Sequence, residues 1–302
     1  MTQTVLILGA SGRFGRNAAI AFESAGWTVR HFDRNHDDLT RAAWGADVIV
    51  NAWNPLYTDW AAQVPGLTEK VIRVAKQTGA TVIIPGNVYV FGEQTPAPWS
   101  ETTPHAARNP MGRIRADMEA AYAKAGVRTI VLRAGDFIDT EASGNWFDLV
   151  MTKRLAKGVF SVPGNPDTPR AWAYLPDMAR AAVQLAEMRE ALPAFADIPF
   201  PGYTLTGREM AAALGRVMGA KPRLRRMSFM PIRLAQPFWP MGRRILEMSY
   251  LWSKPHWLDG TRFDELLPDF RATPLETALA SAIPAGLVQH EVYPDQAMAA
   301  GS

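Results

Sequence analysis

Gly9, Gly12 and Gly15 stand three residues apart directly after the apolar run Thr4–Leu8, and the helical pattern of Phe14–Ala25 follows them. A buried strand, a tight turn and a helix N-terminus in that order bring backbone N–H groups against a pyrophosphate. The first glycine permits the turn, the second lets a phosphate approach, and the third lets the helix pack on the strand. Asp33 closes the next apolar segment, Trp27–Phe32, where a carboxylate can hold the hydroxyls of an adenosine ribose. These residues point to an adenine dinucleotide held by Gly9, Ser11, Gly12, Arg13, Phe14 and Gly15 at its phosphates, by Asp33 and Arg34 at its adenosine end, and by Ala52 after the third strand. Asp33 argues for NAD, because its charge repels a 2′-phosphate. Arg13 and Arg34 argue for NADP, because both can reach a 2′-phosphate and stack on adenine. The balance falls slightly toward NAD.

The elements that must carry this turn alternate, as a doubly wound parallel sheet requires. Ala46–Asn51 reads as the third strand, and Val64–Gln77 as a helix with Pro65 near its start and Gly79 past its end. Thr81–Ile84 reads as the fourth strand, stopped by Pro85 and Gly86. Asn109 caps a helix with Pro110 at its first position and Gly126 at its end, and Val127–Leu132 is the fifth strand. Beyond Asp136 prolines multiply; Pro176–Glu187 is a helix, Thr206 and Glu209 form a capping box before a helix running to Met218, and Thr273 with Glu276 marks a third such start. The fold expected is α/β, a Rossmann-like doubly wound parallel sheet over residues 1–190. A smaller, mostly helical substrate region is expected over 191–302, with 140–175 contributing to it and a loose tail after Tyr293.

Composition narrows the function classes. The chain has 302 residues, 48% hydrophobic and 20% charged, values of a soluble globular protein with a sizeable core. It has no Cys, so disulfides, thiolate chemistry and cysteine-rich zinc sites are excluded. The first strand begins at Thr4 and no apolar run approaches a membrane span, so a cytoplasmic location is expected. A net charge of +3 gives no case for nucleic acid, but Lys221–Arg262 holds nine Lys or Arg against two Asp or Glu. A basic segment of this kind meets an anionic ligand, an acidic partner or a lipid surface, or is a solvated face. Met241–Trp252 has the spacing of an amphipathic helix, and the expectation is that it packs on the nucleotide domain and that no membrane partner is involved.

The chain resembles the extended short-chain dehydrogenase/reductase family, the group of NAD-dependent epimerases and dehydratases. The similarity runs from Thr4 to Leu287. Gly9–Gly15 looks like the family's cofactor loop, Val82–Gly92 like its fourth strand and active-site turn, and Asn109–Arg115 like the helix carrying its Tyr and Lys four residues apart. Val131–Gly135 looks like strand five, Ala173–Ala179 like the return to the nucleotide domain, and Tyr203–Glu209 like the entry to the last helices. The resemblance implies a small-molecule substrate, commonly a sugar nucleotide, and a homodimer formed through Val64–Gln77 and Met111–Ala125.

The departures fall on the chemistry. In the family pattern the Lys lowers the Tyr pKa and holds the ribose, and the phenolate exchanges a proton with substrate. Here those positions are Met111 and Arg115, and the family's active-site Ser or Thr falls on Asn87. A thioether has no proton to give, and Arg can hold a ribose but not deprotonate. One reading replaces the lost phenol by Tyr89, two residues past Asn87, with Arg115 supplying charge and contacting the cofactor; His105 is a further candidate donor. The other reading is a non-catalytic NAD(P)-binding redox sensor similar to the nitrogen-regulator-type proteins. Arg223, Arg225 and Arg226 suit a diphosphate, whereas Trp53, Trp146, Phe147, Trp172, Trp239 and Trp252 suit an apolar or aromatic ligand. No metal site is expected.

Overall fold

Five consecutive buried residues give β1 (Thr4–Leu8) no solvent face, and they alternate between two cores. Val5 and Ile7 point into one apolar cluster, Leu6 and Leu8 into the other. This is the pattern of a central parallel strand covered by helices on both sides. The computed structural model describes residues 2–289; the expected loose tail after Tyr293 lies outside them. From β1 the chain continues through α1 (Arg13–Ser24), β2 (Thr28–Phe32), α2 (Leu39–Ala43), β3 (Val48–Asn51), α3 (Trp60–Thr78) and β4 (Thr81–Asn87). Next come α4 (Pro110–Ala125), β5 (Thr129–Ala134), β6 (Asp136–Ile138), β7 (Val159–Pro163), β8 (Arg170–Tyr174), α5 (Leu175–Glu187), β9 (Phe195–Pro199) and β10 (Tyr203–Leu205). The last elements are α6 (Gly207–Met218), β11 (Arg223–Met227), α7 (Met230–Ala235), α8 (Pro240–Glu247), α9 (Thr261–Leu266) and α10 (Leu275–Ala282).

The main sheet is parallel, in the order β2-β1-β3-β4-β5-β9. The order reverses between β1 and β3. The helices that follow these two strands go to opposite faces: α1 packs with α5 in one cluster, and α3 and α4 fill the other. Their divergence opens a crevice at the carboxyl ends of β1 and β3, where open α/β sheets bind ligands. The sheet takes its sixth strand, β9, from beyond residue 190. A third cluster lies around Phe160, Trp172, Leu214 and Leu279, bounded by two small sheets, β10-β8-β6 and β11-β7. The second region is therefore not purely helical, and residues of the 138–174 segment form much of its core.

Several local expectations shift. Helix α3 begins at Trp60 rather than Val64 and takes Pro65 inside it; burial of Trp60, whose indole N–H donates to the Pro55 carbonyl at 3.0 Å, outweighs the cost of the proline. Strand β4 runs through Pro85 and Gly86 to Asn87, because a Cβ at Gly86 would lie 2.6 Å from Val131 Cγ1 and only glycine lets the two strands approach. Asn109 stands at the N-cap of α4 but makes no capping bond. Its amide donates to Glu247 Oε1 at 3.1 Å, and the same oxygen accepts the Met111 N–H at 2.6 Å, so a carboxylate from α8 caps α4. Thr273 does not cap α10; its N–H and hydroxyl both donate to Asp177 at 2.7 Å. The Thr206–Glu209 capping box forms as read.

Gly135 is the joint at which β5 leaves the main sheet and becomes β6. A Cβ there would lie 2.1 Å from the Ala171 carbonyl oxygen on β8. Gly135→Ala is expected to destabilise the chain by about 1–3 kcal/mol or more by forcing the two strands apart. Urea unfolding of the variant checks this, and an unchanged midpoint would contradict the packing described.

Candidate functional site

At the switch point the glycine turn has the shape of a phosphate cradle. Gly9 has φ +82°, and a Cβ on it would stand 3.1 Å from the Ala52 carbonyl oxygen. A Cβ on Gly15 would stand 2.1 Å from Gly9 O, so α1 can lie this close to the turn only with glycine there. Gly12 is the N-cap of α1 and provides no side chain to satisfy the first-turn N–H groups, which leaves them for an anion. Ser11 is exposed beside them, and Phe14 is buried beneath.

Arg13 is directed elsewhere than toward an adenosine phosphate. Its guanidinium donates to the carbonyls of Ser143, at 2.8 Å, and of Gly144. Arg16 pairs with Asp139 at 2.8 Å and with Glu141, and Asn17 also reaches Asp139. The first turn of α1 therefore straps the 139–144 segment across the mouth of the crevice. Asp33 follows β2 and is exposed, as is Arg34. The Asp33 carboxylate accepts from the Asn35 N–H and from His36 Nδ1, both at 2.8 Å, and these bonds, the backbone one first, hold it below the usual carboxylate range. Phe32, which ends β2, and Trp53, two residues past β3, lie 5.6 Å apart edge to face, with Ala52 directly after β3.

The other end of the crevice holds Met111, Arg115, Asn87 and Tyr89. Met111 is fully buried, so an apolar plug fills the place of the expected phenol. One helical turn on, Arg115 is buried with its guanidinium 4.7 Å above the Trp60 ring, and its hydrogen bond is to the Met118 sulfur at 3.4 Å. Burial lowers its pKa, offset by Glu119 and by two tyrosines. Among the described residues no carboxylate forms an ion pair with it. Tyr89 reaches this spot: its hydroxyl lies 2.7 Å from that of Tyr57, and its N–H is held by Asn87 Oδ1 at 3.0 Å. Asn87 thus spends its oxygen on the turn and keeps its amide N–H groups as donors. Burial pushes the Tyr89 phenol well up, reinforced by Tyr57. Burial also raises Tyr57, opposed by the hydrogen bond with Tyr89 and by Arg13 and Arg115. Tyr57 lies on the turn between β3 and α3 and was missed in the sequence, which shows no motif there.

A second pair faces the crevice from the small sheet. Asp136 opens β6 and pairs with Arg170 at 3.2 Å; burial raises the carboxyl against that pairing. Arg170 is buried between the rings of Trp172, at 4.8 Å, and Trp252, at 3.9 Å. Burial pushes its pKa down to about 10. Its Nη2 and the Trp172 indole nitrogen are buried with no hydrogen-bond partner among the described residues. Trp146 packs on Trp252 edge to face. Of the other residues matched to a ligand, Phe147 is core, Trp239 is exposed, and Arg223, Arg225 and Arg226 lie exposed on β11.

His105 does not point at Tyr89. Its Nε2 lies 3.6 Å from Glu119 Oε2 and 3.7 Å from Asp197 Oδ2. Ligand atoms of these three side chains fall within 4.8 Å of one another, a metal-like spacing. Arg133 Nη2, however, is 2.6 Å and 2.5 Å from the same two carboxylates and already supplies the neutralising charge. Arg133 Nη1 also donates to the Asn87 carbonyl at 2.6 Å, so the cluster is the footing of the Asn87–Tyr89 turn.

No family model matches the chain, and no curated protein does. Solved structures do. UDP-glucuronic acid 4-epimerase from Bacillus cereus in complex with NAD aligns with a TM-score of 0.70 at 14% identity, over 92% of this chain and 97% of that one. UDP-glucose 4-epimerase from Brucella ovis in complex with NAD gives 0.68 at 17% identity, over 95% and 99%. RMD from Pseudomonas aeruginosa complexed with NADPH gives 0.69 at 16% identity, over 93% and 96%. The chain is an α/β protein of Rossmann-like type. More narrowly, it has the fold of the extended short-chain dehydrogenase/reductases, along nearly its whole length.

His256 is buried behind Arg170, stacked 5.1 Å from Trp99, and burial pushes its pKa from 6.5 down to about 4. Between these values the unfolded chain binds a proton that the folded chain refuses. Stability should therefore fall as pH drops from about 6.5 toward 4, by a few kcal/mol at most. Unfolding midpoints across that range should show a slope that His256→Phe reduces; equal slopes would contradict the buried neutral imidazole.

Proposed function

We propose that the chain is an NAD(P)-dependent oxidoreductase or epimerase acting on a small-molecule carbonyl or hydroxyl group. Proton transfer is carried by the Tyr57–Tyr89 pair in place of the usual tyrosine and lysine. The observation that carries this reading is the 2.7 Å phenol pair beside a buried Arg115 that, among the described residues, forms no ion pair, at the carboxyl-end edge of the sheet. The glycine turn fits a dinucleotide because its cradle is kept open by positions where a Cβ would collide. When bound, that cofactor supplies or accepts a hydride.

The chain's own residues do the rest. The first-turn N–H groups of α1 hold the pyrophosphate, and Asp33, released from His36, accepts from the adenosine ribose. Arg115 takes the ribose-holding role of the missing lysine and sets a positive field under the phenols. Both tyrosines stay protonated at neutral pH, since burial raises them, and so can donate to an alkoxide as it forms. In the oxidative direction one phenol of the pair ionises while the other donates to it, and the charge of Arg115 favours the anion on either. Asn87 orients the substrate oxygen. Asp136, paired with Arg170, bounds the pocket on the side of the small sheet.

NADH and NADPH titrations, followed by nicotinamide fluorescence, should show tighter binding of NADH, and Asp33→Asn should narrow the gap. A large preference for NADPH would mean that Arg34 outweighs the carboxylate. With NADH and a panel of aldehydes, ketones and nucleotide sugars, Tyr57→Phe and Tyr89→Phe should each cut turnover by a factor on the order of 10² while coenzyme binding changes little. Turnover untouched in both variants would remove the tyrosine pair from the mechanism. Tight coenzyme binding with no turnover on any substrate would favour a redox sensor.

A further inference from the structure

Between Lys221 and Arg244 the chain holds seven Lys or Arg and no Asp or Glu. The same run holds the two most exposed large apolar side chains of the described residues, Phe238 at 93% and Leu234 at 73%, together with Met230 at 55%. Met230 and Leu234 are one turn apart on α7, and Phe238 follows in the link to α8. Helix α8 is held down by Glu247 on α4, as described, and α7 packs on α8. Helix α8 of this pair is anchored, and Met230, Leu234 and Phe238 stand exposed on α7 and the link. Arg233 is next to Leu234, and Arg226 is four residues ahead of Met230, within about 14 Å of chain. The stretch read in sequence as amphipathic, Met241–Trp252, is a different one: Met248, Leu251 and Trp252 are buried, so it packs as expected.

We propose that the α7–α8 pair is a docking surface for an anionic lipid bilayer. Phe238, Leu234 and Met230 enter the boundary of the acyl region, and Arg225, Arg226, Arg233 and Arg243 meet headgroup phosphates. The combination selects this partner. An apolar stripe without charge would suit many surfaces, but basic side chains flanking Phe and Leu suit a negatively charged leaflet. A second copy of the chain would set the same basic run against itself in a two-fold contact, with repulsion. A nucleic acid would use the arginines but leave Leu234 and Met230 in water, since aliphatic side chains give bases no ring to stack on.

The test uses the full chain and co-sedimentation with vesicles of phosphatidylcholine, with and without phosphatidylglycerol. Binding is expected only to the anionic vesicles, and it should weaken with added salt. Phe238→Ser with Leu234→Ser, and separately Arg225→Gln with Arg226→Gln, should each lower the apparent affinity about tenfold or more. Thermal unfolding and NADH binding should stay unchanged, because all four side chains are exposed and outside the coenzyme crevice. No sedimentation with anionic vesicles at low salt would overturn the proposal, as would full binding by both double variants. A concentration-dependent mass that the Phe238 and Leu234 changes abolish, without vesicle binding, would make the stripe a self-association face. Binding to polyglutamate without vesicle binding would assign it to an acidic protein.

Discussion

Arg133 carries its charge in the interior of the sheet, where a charge survives only if it is paired and fully hydrogen-bonded. Glu119 comes from α4 and Asp197 from β9, and both meet the guanidinium at 2.5–2.6 Å. The attraction is strong enough in that low-polarity setting to keep Arg133 ionised. Its remaining nitrogen takes the Asn87 carbonyl. One buried cation therefore ties β5 to α4, to β9 and to the end of β4. The two residues that depend on this footing are Tyr89, on the turn after β4, and Arg115, on α4 one turn before Glu119. If either carboxylate were withdrawn, the other would be left competing for a desolvated guanidinium, and the turn would lose its anchor.

The opposite end of the crevice rests on a different constraint, the lack of side chains. Gly9, Gly12 and Gly15 let a helix N-terminus come against a strand end, and any Cβ at Gly15 would meet the Gly9 carbonyl. The strand order then decides what the cradle faces. Because β1 lies between β2 and β3, the loop after β1 opens toward Asp33 on one side and toward Ala52 and Trp53 on the other. An ion pair from Arg16 to Asp139 and hydrogen bonds from Arg13 to the Ser143 and Gly144 carbonyls tie the start of α1 to the 139–144 segment.

Arg115 and the two phenols set the electrostatics at this end of the sheet. A lysine would lower one phenol strongly. Arg115 is shared between two phenols, and burial dominates, so both remain acids at neutral pH. Asp136 and Arg170 add a buried pair whose guanidinium, with one nitrogen unsatisfied among the described residues, lies between two indoles.

Much of the frame was legible in the residues. The glycine turn, the alternation of buried strands with helices, the Thr206–Glu209 box and the helix ends at Gly79 and Gly126, both with positive φ, are local features. Hydrogen bonding and sterics within a few residues settle them, and the chain's order of types is enough. Tyr57, the Arg133 cluster, the Asp136–Arg170 pair and the capping of α4 by Glu247 were not legible. Each joins side chains that lie far apart in sequence, the last pair by 136 positions, and nothing local records who will be neighbour to whom. The sequence determined by itself where a phosphate-binding turn would form and which expected phenol was absent. Only the tertiary structure decided which side chains stand together beside Met111, because a buried charge or hydroxyl takes its partner from whatever the folded chain brings within hydrogen-bond reach.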